Sequence, residues 1–432
     1  MTRRILDLLW LLPAVLVLNS CGGTSTTLPQ NRVFASQYVS SASIFGEIVV
    51  INGQDDTLPR TAPLSAGSEP LFMAVSPTRD IVMAFDQSSN SVYSISTAKD
   101  TSLGTVRLPG PTWSMVVPTP QTVAYAAVPS ATVSGYSFVG GLIVMNLSAG
   151  GITTTIAVPN AQTVVSNGGG SQLLVFSNDS DNVTVLAPGN ALPIVDTSCL
   201  QSPPSSSICT VLSSGFSRPV NAIISGNTAY VLNCGVQCGG LQPASVSVLD
   251  LTTLTVTDSV PVDAATMAFL DGSTLYVAGT PPAPNNTCAG QTTAATSCGR
   301  LDIVNLDTLA VSPGIVITDG YHDLMDMSLN GQLFIGSKDC TNIGNANYPS
   351  GEVRGCLTIY NTQTGAVVIP PDNGDVGGFQ SFSSRYIEYV AEGGNLRVYD
   401  TTKDILYLND YLTSGTIPIS GYVSDVKAVD FF

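Results

Sequence analysis

Short apolar strands recur along the whole chain, with apolar and polar positions alternating at period two. Eight copies share one shape: an apolar strand, ending in most copies in Asp or Asn. They are Gly46–Asn52, Ser91–Ser96, Gly141–Asn146, Asn182–Leu186, Ser245–Asp250, Arg300–Asn305, Cys356–Asn361 and Asn395–Asp400. Such alternation predicts strands with one face buried. A second element precedes most copies, an apolar strand, a tight turn and another apolar strand. Leu71–Ser76 turns through Pro77–Asp80 into Ile81–Phe85, and Ala222–Ser225 turns at Gly226-Asn227 into Ala229–Leu232. Thr266–Leu270 turns at Asp271-Gly272, and Met325–Leu329 turns at Asn330-Gly331. Asn-Gly and Asp-Gly between apolar runs are strong hairpin signals. Four strands per repeat, repeated radially, predict an all-β fold, a β-propeller.

The chain ends fit the same count. Val423–Phe431 reads as an inner strand without its hairpin, and Val33–Val39 and Gly46–Asn52 read as outer strands without an inner one. They are expected to share a blade and close the ring, which removes exposed sheet edges. The count is eight four-stranded blades, or seven if the stretch 160–217 is not a blade of its own. One propeller domain is expected over residues 32–432.

Composition narrows the function classes. Charged residues make up 11% of the chain, against roughly 25% in soluble domains. With 15 basic and 31 acidic residues, a nucleic-acid surface is not expected, because phosphate contacts need Lys and Arg. A single histidine, His322, excludes copper or haem sites built from several histidines. The only tryptophans are Trp10 and Trp113, so repeated tryptophan docking motifs for a quinone cofactor are absent. No Gly-x-Ser-x-Gly elbow and no phosphate-binding loop is present. No cofactor is expected.

The first residues give an address. Arg3-Arg4 precede an apolar run, Ile5–Leu18, and then Asn19-Ser20-Cys21-Gly22-Gly23. This reads as an export signal over residues 1–20, too short to span a membrane. Leu18-Asn19-Ser20-Cys21 resembles the bacterial lipobox, which implies acylation of Cys21 and a stable anchor. Gly22 after the cysteine fits delivery to an outer membrane, periplasmic or surface-facing. Residues 21–31 read as the acylated cysteine and a small polar tether. The acidic, lysine-poor body is expected to be repelled by anionic headgroups.

Eight further cysteines fall into four neighbouring couples: Cys199/Cys209, Cys234/Cys238, Cys288/Cys298 and Cys340/Cys356. An even number in an exported chain predicts disulfides, paired locally. Three couples fall between a second and a third strand, and Cys199/Cys209 reads as part of the passage into the next blade. All four are therefore expected on one rim, with the loop carrying Tyr136 and Phe138, while the other rim has only tight turns. Long ordered loops on a rigid scaffold are where binding sites concentrate.

Candidate chemistry is sparse. His322 lies in Asp319-Gly320-Tyr321-His322-Asp323-Leu324-Met325-Asp326, at the start of an innermost strand. His322, Asp323 and Asp326 are the candidates for acid–base work at the channel mouth. Asp179 and Asp181, in Asn178-Asp179-Ser180-Asp181-Asn182, are candidate oxygen ligands for a cation, in a stretch equally rich in turn residues.

Glu69-Pro70-Leu71-Phe72-Met73-Ala74-Val75-Ser76-Pro77-Thr78-Arg79-Asp80 and Leu396-Arg397-Val398-Tyr399-Asp400-Thr401-Thr402 resemble the repeats of YncE-like, or YVTN-repeat, propellers. The resemblance spans 33–431 as a repeat pattern, with Arg79-Asp80 standing where Asp-Gly is usual. It implies an exported propeller and carries no catalytic residue to transfer. The expected function is a lipid-anchored, non-catalytic binding or scaffold module, taking an envelope protein or glycan on its disulfide-rich face. The alternative is a hydrolase or lactonase near His322. A monomer is expected.

Overall fold

The computed structural model describes residues 31–39, 45–59, 61–119, 122–133, 139–147, 150–177, 179–188, 194–200, 208–282, 299–340, 356–370 and 374–430. The strands form eight separate sheets, an eight-bladed β-propeller. Blade 1 holds Pro70–Val75, Ile81–Asp86, Ser91–Ser96 and Thr101–Arg107, from the channel outward. Blade 2 holds Ser114–Val116, Val123–Thr132, Val139–Asn146 and Gly151–Ala157, and blade 3 holds Ala161–Ser166, Leu173–Ser177, Val183–Leu186 and Cys209–Leu212. Blade 4 holds Pro219–Ser225, Thr228–Asn233, Ser245–Asp250 and Thr255–Pro261. Blade 5 holds Met267–Asp271, Thr274–Gly279 and Gly299–Asn305, with its outer strand in two pieces, Ala310–Val311 and Ile315–Ile317. Blade 6 holds Tyr321–Met327, Gln332–Lys338, Leu357–Asn361 and Val367–Val368. Blade 7 holds Val376–Ser381, Ile387–Glu392 and Asn395–Asp400, again with a split outer strand, Ile405–Leu406 and Thr416–Ile417. Blade 8 takes its inner strand, Tyr422–Ala428, from the C-terminal end and the others, Arg32–Val39, Phe45–Asn52 and Leu64–Ser65, from the N-terminal end. The stretch 160–217 is thus a blade of its own, and the count is eight.

Local chemistry sets the turns. Gly226 and Gly272, in the hairpins of blades 4 and 5, both sit at φ 58° in open space. A left-handed conformation, rather than lack of room, selects glycine there. The Asp or Asn that ends the third strands caps the next turn. Asp250 accepts from Thr252 and Thr253 N–H, and Asn305 from Asp307 and Thr308 N–H. Asn361 accepts from Gln363 and Thr364 N–H, and Asp400 from Thr402 N–H. These are Asx turns.

The core is not a single mass. Buried apolar side chains form eight clusters, each lying between two neighbouring blades. Ring closure is the antiparallel pairing of Val33–Tyr38 with Tyr422–Ala428. Arg32 secures it: its guanidinium reaches Asp430 at 2.6 Å, Asp100 at 2.6 Å and the Thr97 carbonyl at 2.6 Å. On the other flank, Arg385 of blade 7 holds buried Asp56 of blade 8 at 2.7 Å.

Two rims follow from this order. The loop rim carries the connections between second and third strands and between blades. The turn rim carries the connections from first to second and from third to fourth strands. Arg32 begins a second strand, so the chain enters the ring at the turn rim.

Candidate functional site

Among the described residues three disulfides are formed, Cys199–Cys209, Cys234–Cys238 and Cys340–Cys356. Cys288 and Cys298, Tyr136 and Phe138, and the leader with Cys21 lie outside the described residues. Cys234–Cys238 closes a short turn on the loop rim of blade 4, and Cys340–Cys356 closes the loop rim of blade 6. Cys199–Cys209 is elsewhere, which corrects the expectation of one disulfide-bearing rim. Cys209 begins the fourth strand of blade 3 and faces Leu186, the end of the third strand. The connection 187–208 is therefore internal to the blade and leaves from the turn rim. It runs back over blade 2, where Val195–Asp196 pairs in parallel with Thr155–Ile156 of the outer strand. The turn rim is thus not made of tight turns alone. The strand Cys209–Leu212 is only four residues long, and sequence pattern merges so short a strand into the passage that follows it.

The candidate acid–base residues are not brought together. A register shift between His322 and Leu324 leaves Asp323 as the extra residue of the pairing. His322 is fully buried against blade 5. Its Nδ1 lies 3.5 Å from Thr280 Oγ1, and its carbonyl accepts from Thr266 Oγ1 at 2.8 Å. Gly299 makes room for the ring, since a Cβ there would sit 2.9 Å from His322 Cε1. Burial lowers its pKa to about 4, against the raising effect of a ring N–H donated to the Thr318 backbone carbonyl, so the imidazole is neutral at physiological pH. Asp323 pairs with Lys338 Nζ at 2.5 Å. Its pKa is raised by burial, which outweighs the pull of Lys338. Asp326 accepts from Ser381 N–H of the next blade at 2.8 Å and from Met327 N–H at 2.8 Å. It stitches two inner strands, as Asp425 does by accepting from Met73 N–H at 2.7 Å. Beside Asp326 lies Glu388, fully buried, its pKa pushed well up first by burial and then by the Asp326 charge.

The metal candidates serve the backbone. Asp181 Oδ1 accepts from Arg218 N–H at 2.8 Å, and Asp179 Oδ1 lies 4.0 Å from the Arg218 guanidinium. Asn178 lies outside the described residues. Among the described residues, no group of three or more His, Cys, Asp or Glu side chains is placed to hold a metal ion.

What the ring does assemble is an aromatic and polar cluster on the loop rim over blades 6 to 8. Tyr38 and Tyr422 lie with ring centroids 5.2 Å apart. The Tyr422 pKa is raised by burial and by Asp375, with Lys338 opposing. Asp375 also accepts from Asp339 N–H at 2.9 Å. Tyr321 is exposed, with Asp323 beside it. Elsewhere on this rim Phe45, Trp113, Val236 and Leu241 are exposed, Leu241 at 93%. Sequence reasoning did not single out Tyr38, Tyr422, Lys338 or Asp375. Tyr38 joins the other three only through ring closure, and no local motif marks any of them.

No family model matches the sequence, and no curated protein matches it. Among solved structures, dihydro-heme d1 dehydrogenase NirN in complex with DHE is similar, with TM-score 0.62 and 12% identity over 93% of this chain and 75% of that one. The computationally designed Ika8 protein is similar with TM-score 0.55 and 10% identity, over 86% of this chain and 98% of that one. At such identities the likeness is one of fold.

Proposed function

We propose that the chain is a lipid-anchored, extracytoplasmic β-propeller, a non-catalytic binding or scaffold module for an envelope protein or glycan. It would be exported and held in a bacterial outer membrane by acyl chains on Cys21, as the lipobox-like Leu18-Asn19-Ser20-Cys21 implies. The repeat resemblance to YncE-like propellers fits that reading. The observation that carries it is the opposition of the two rims. The chain enters at Arg32 on the turn rim, so a tether from Cys21 turns the loop rim away from the bilayer. That outward rim carries two disulfide-closed loops and the exposed Trp113, Val236, Leu241, Tyr321 and Tyr422. Cross-linked loops lose little freedom on binding, which lowers the ordering cost. The hydrolase reading has no assembled acid–base group among the described residues.

The test is affinity purification of the lipidated chain from crosslinked, detergent-solubilised envelopes, with a glycan array in parallel. The expected result is one stoichiometric protein or one glycan class, lost in the Val236→Asp/Leu241→Asp variant. Recovery of the bait alone, with an empty array, overturns the reading.

A further inference from the structure

The turn rim has an apolar shoulder of its own, where blade 7 meets blade 8. Tyr386 and Ile405 lie at that rim, and Leu408 and Tyr411 beyond them on the outer edge of blade 7, between the halves of its split outer strand; all four are between 52 and 72% exposed. Tyr386 also lines a groove of about 330 Å³, with Arg385, Ile387, Asp400, Thr402 and Tyr407. Exposed apolar clusters of this kind mark interaction sites. Two of these side chains are held out deliberately by the segment between the split halves of the outer strand. Leu412 plugs the core between blades 7 and 8, and Asn409 Oδ1 accepts from the N–H groups of Tyr411 and Leu412 at 2.8 and 2.7 Å. Leu408 and Tyr411 project from this pedestal.

The shoulder adjoins the place where the chain enters the ring. The Asn31 carbonyl accepts from Gly53 N–H at 2.7 Å, and the Gly53 carbonyl accepts from the Arg385 guanidinium at 2.5 Å. Tyr386 is the next residue. Asp56 pairs with Arg385 at 2.7 Å and Asp400 with Lys403 at 3.1 Å, while Asp404 and the exposed Asp410 adjoin Ile405 and Tyr411 along the chain. The segment from Cys21 to Asn31 reaches at most about 35 Å when fully extended. Tyrosine with aliphatic neighbours is the composition that favours a lipid–water interface.

We propose that this shoulder is a membrane-interface contact. Tyr386, Ile405, Leu408 and Tyr411 dip into the headgroup region of the bilayer that carries the anchor. The proposal rests on the anchored reading above. The acidic body weakens contact with anionic lipid, so the shoulder takes zwitterionic surface.

The test uses the full chain on phosphatidylcholine vesicles with brominated acyl chains, comparing parent and Tyr411→Trp protein by tryptophan emission. Acylation of Cys21 is read separately by intact mass. The expected result is that more than half of the emission gained in Tyr411→Trp is quenched, while Trp113, on the opposite rim, is not. Quenching should fall at least twofold when phosphatidylglycerol makes up a third of the lipid. Acylated Cys21 without quenching of the gained emission overturns the proposal and leaves the anchor standing. Quenching with unmodified Cys21 supports the shoulder and removes the anchored reading. Self-association that shields the same indole without vesicles also overturns the proposal, assigning the shoulder to a second copy of the chain.

Discussion

Glu388 and Asp326 show how neighbouring carboxyls diverge when burial differs. Asp326, partly exposed, is satisfied by two backbone N–H groups. Glu388 is fully buried beside Asp326, whose charge and hydrogen bond favour its protonated form. Its folded pKa is raised well above the ordinary value of 4.5, so the folded state keeps a proton that the unfolded chain releases. Its contribution is full below about pH 4.5 and is lost as pH rises toward the folded value. Glu388→Gln removes that proton uptake and should therefore raise stability at neutral pH, by more at about pH 7.5 than at about pH 5. Calorimetry at about pH 5 and about pH 7.5 reads the effect, and the pH dependence of the melting temperature should flatten in the variant. An unchanged pH dependence sinks the assignment. Asp326 was recognisable in the sequence as a carboxylate near the channel. Glu388 was not, because its environment is made by blade 6, far from it along the chain.

At the scale of elements, the repeat pattern was the strongest signal. All eight apolar strands read from the sequence are third strands of successive blades. Their terminal Asp and Asn build the turn that follows, which is why they could be read at all. What the pattern missed is what breaks the repeat: the split outer strands of blades 5 and 7, and the strap 187–208. That strap covers part of the outer edge of blade 2, and a covered edge does not recruit foreign strands. Cys199–Cys209 ties it covalently, across a separation of 10 residues. Replacing both cysteines with serine should cost about 2–4 kcal/mol, the usual worth of a disulfide. Hydrogen exchange should rise locally at Thr155, whose N–H donates to the Ile194 carbonyl at 2.9 Å. If Thr155 stays as protected as in the parent, the strap is held by packing, with the disulfide incidental.

For the whole molecule, orientation follows from topology, because the two rims are fixed by strand direction. Only four lysines occur, Lys99, Lys338, Lys403 and Lys427, and they report on it. Lys338 ends a second strand on the loop rim, with its side chain 44% exposed. Lys99 and Lys403 lie in third-to-fourth-strand turns on the opposite rim, Lys403 at 66%. Lys427, on the inner strand of blade 8, is tied to Asp425 at 2.8 Å and serves as an internal reference. An anchored propeller with its turn rim toward the bilayer should show slower amine labelling at Lys99 and Lys403 on vesicles than in detergent micelles diluted below protein-binding levels. Lys338 should keep its rate, because water lies over the loop rim in both cases. The sharpest protection is expected at Lys403, which stands beside the apolar shoulder of blade 7. Quantitative mass spectrometry of the four labelled peptides decides the matter. Equal slowing at Lys338 and Lys403 contradicts a fixed orientation, and slowing at Lys338 alone inverts it, placing the loop rim against the membrane and leaving it unable to receive a partner from outside.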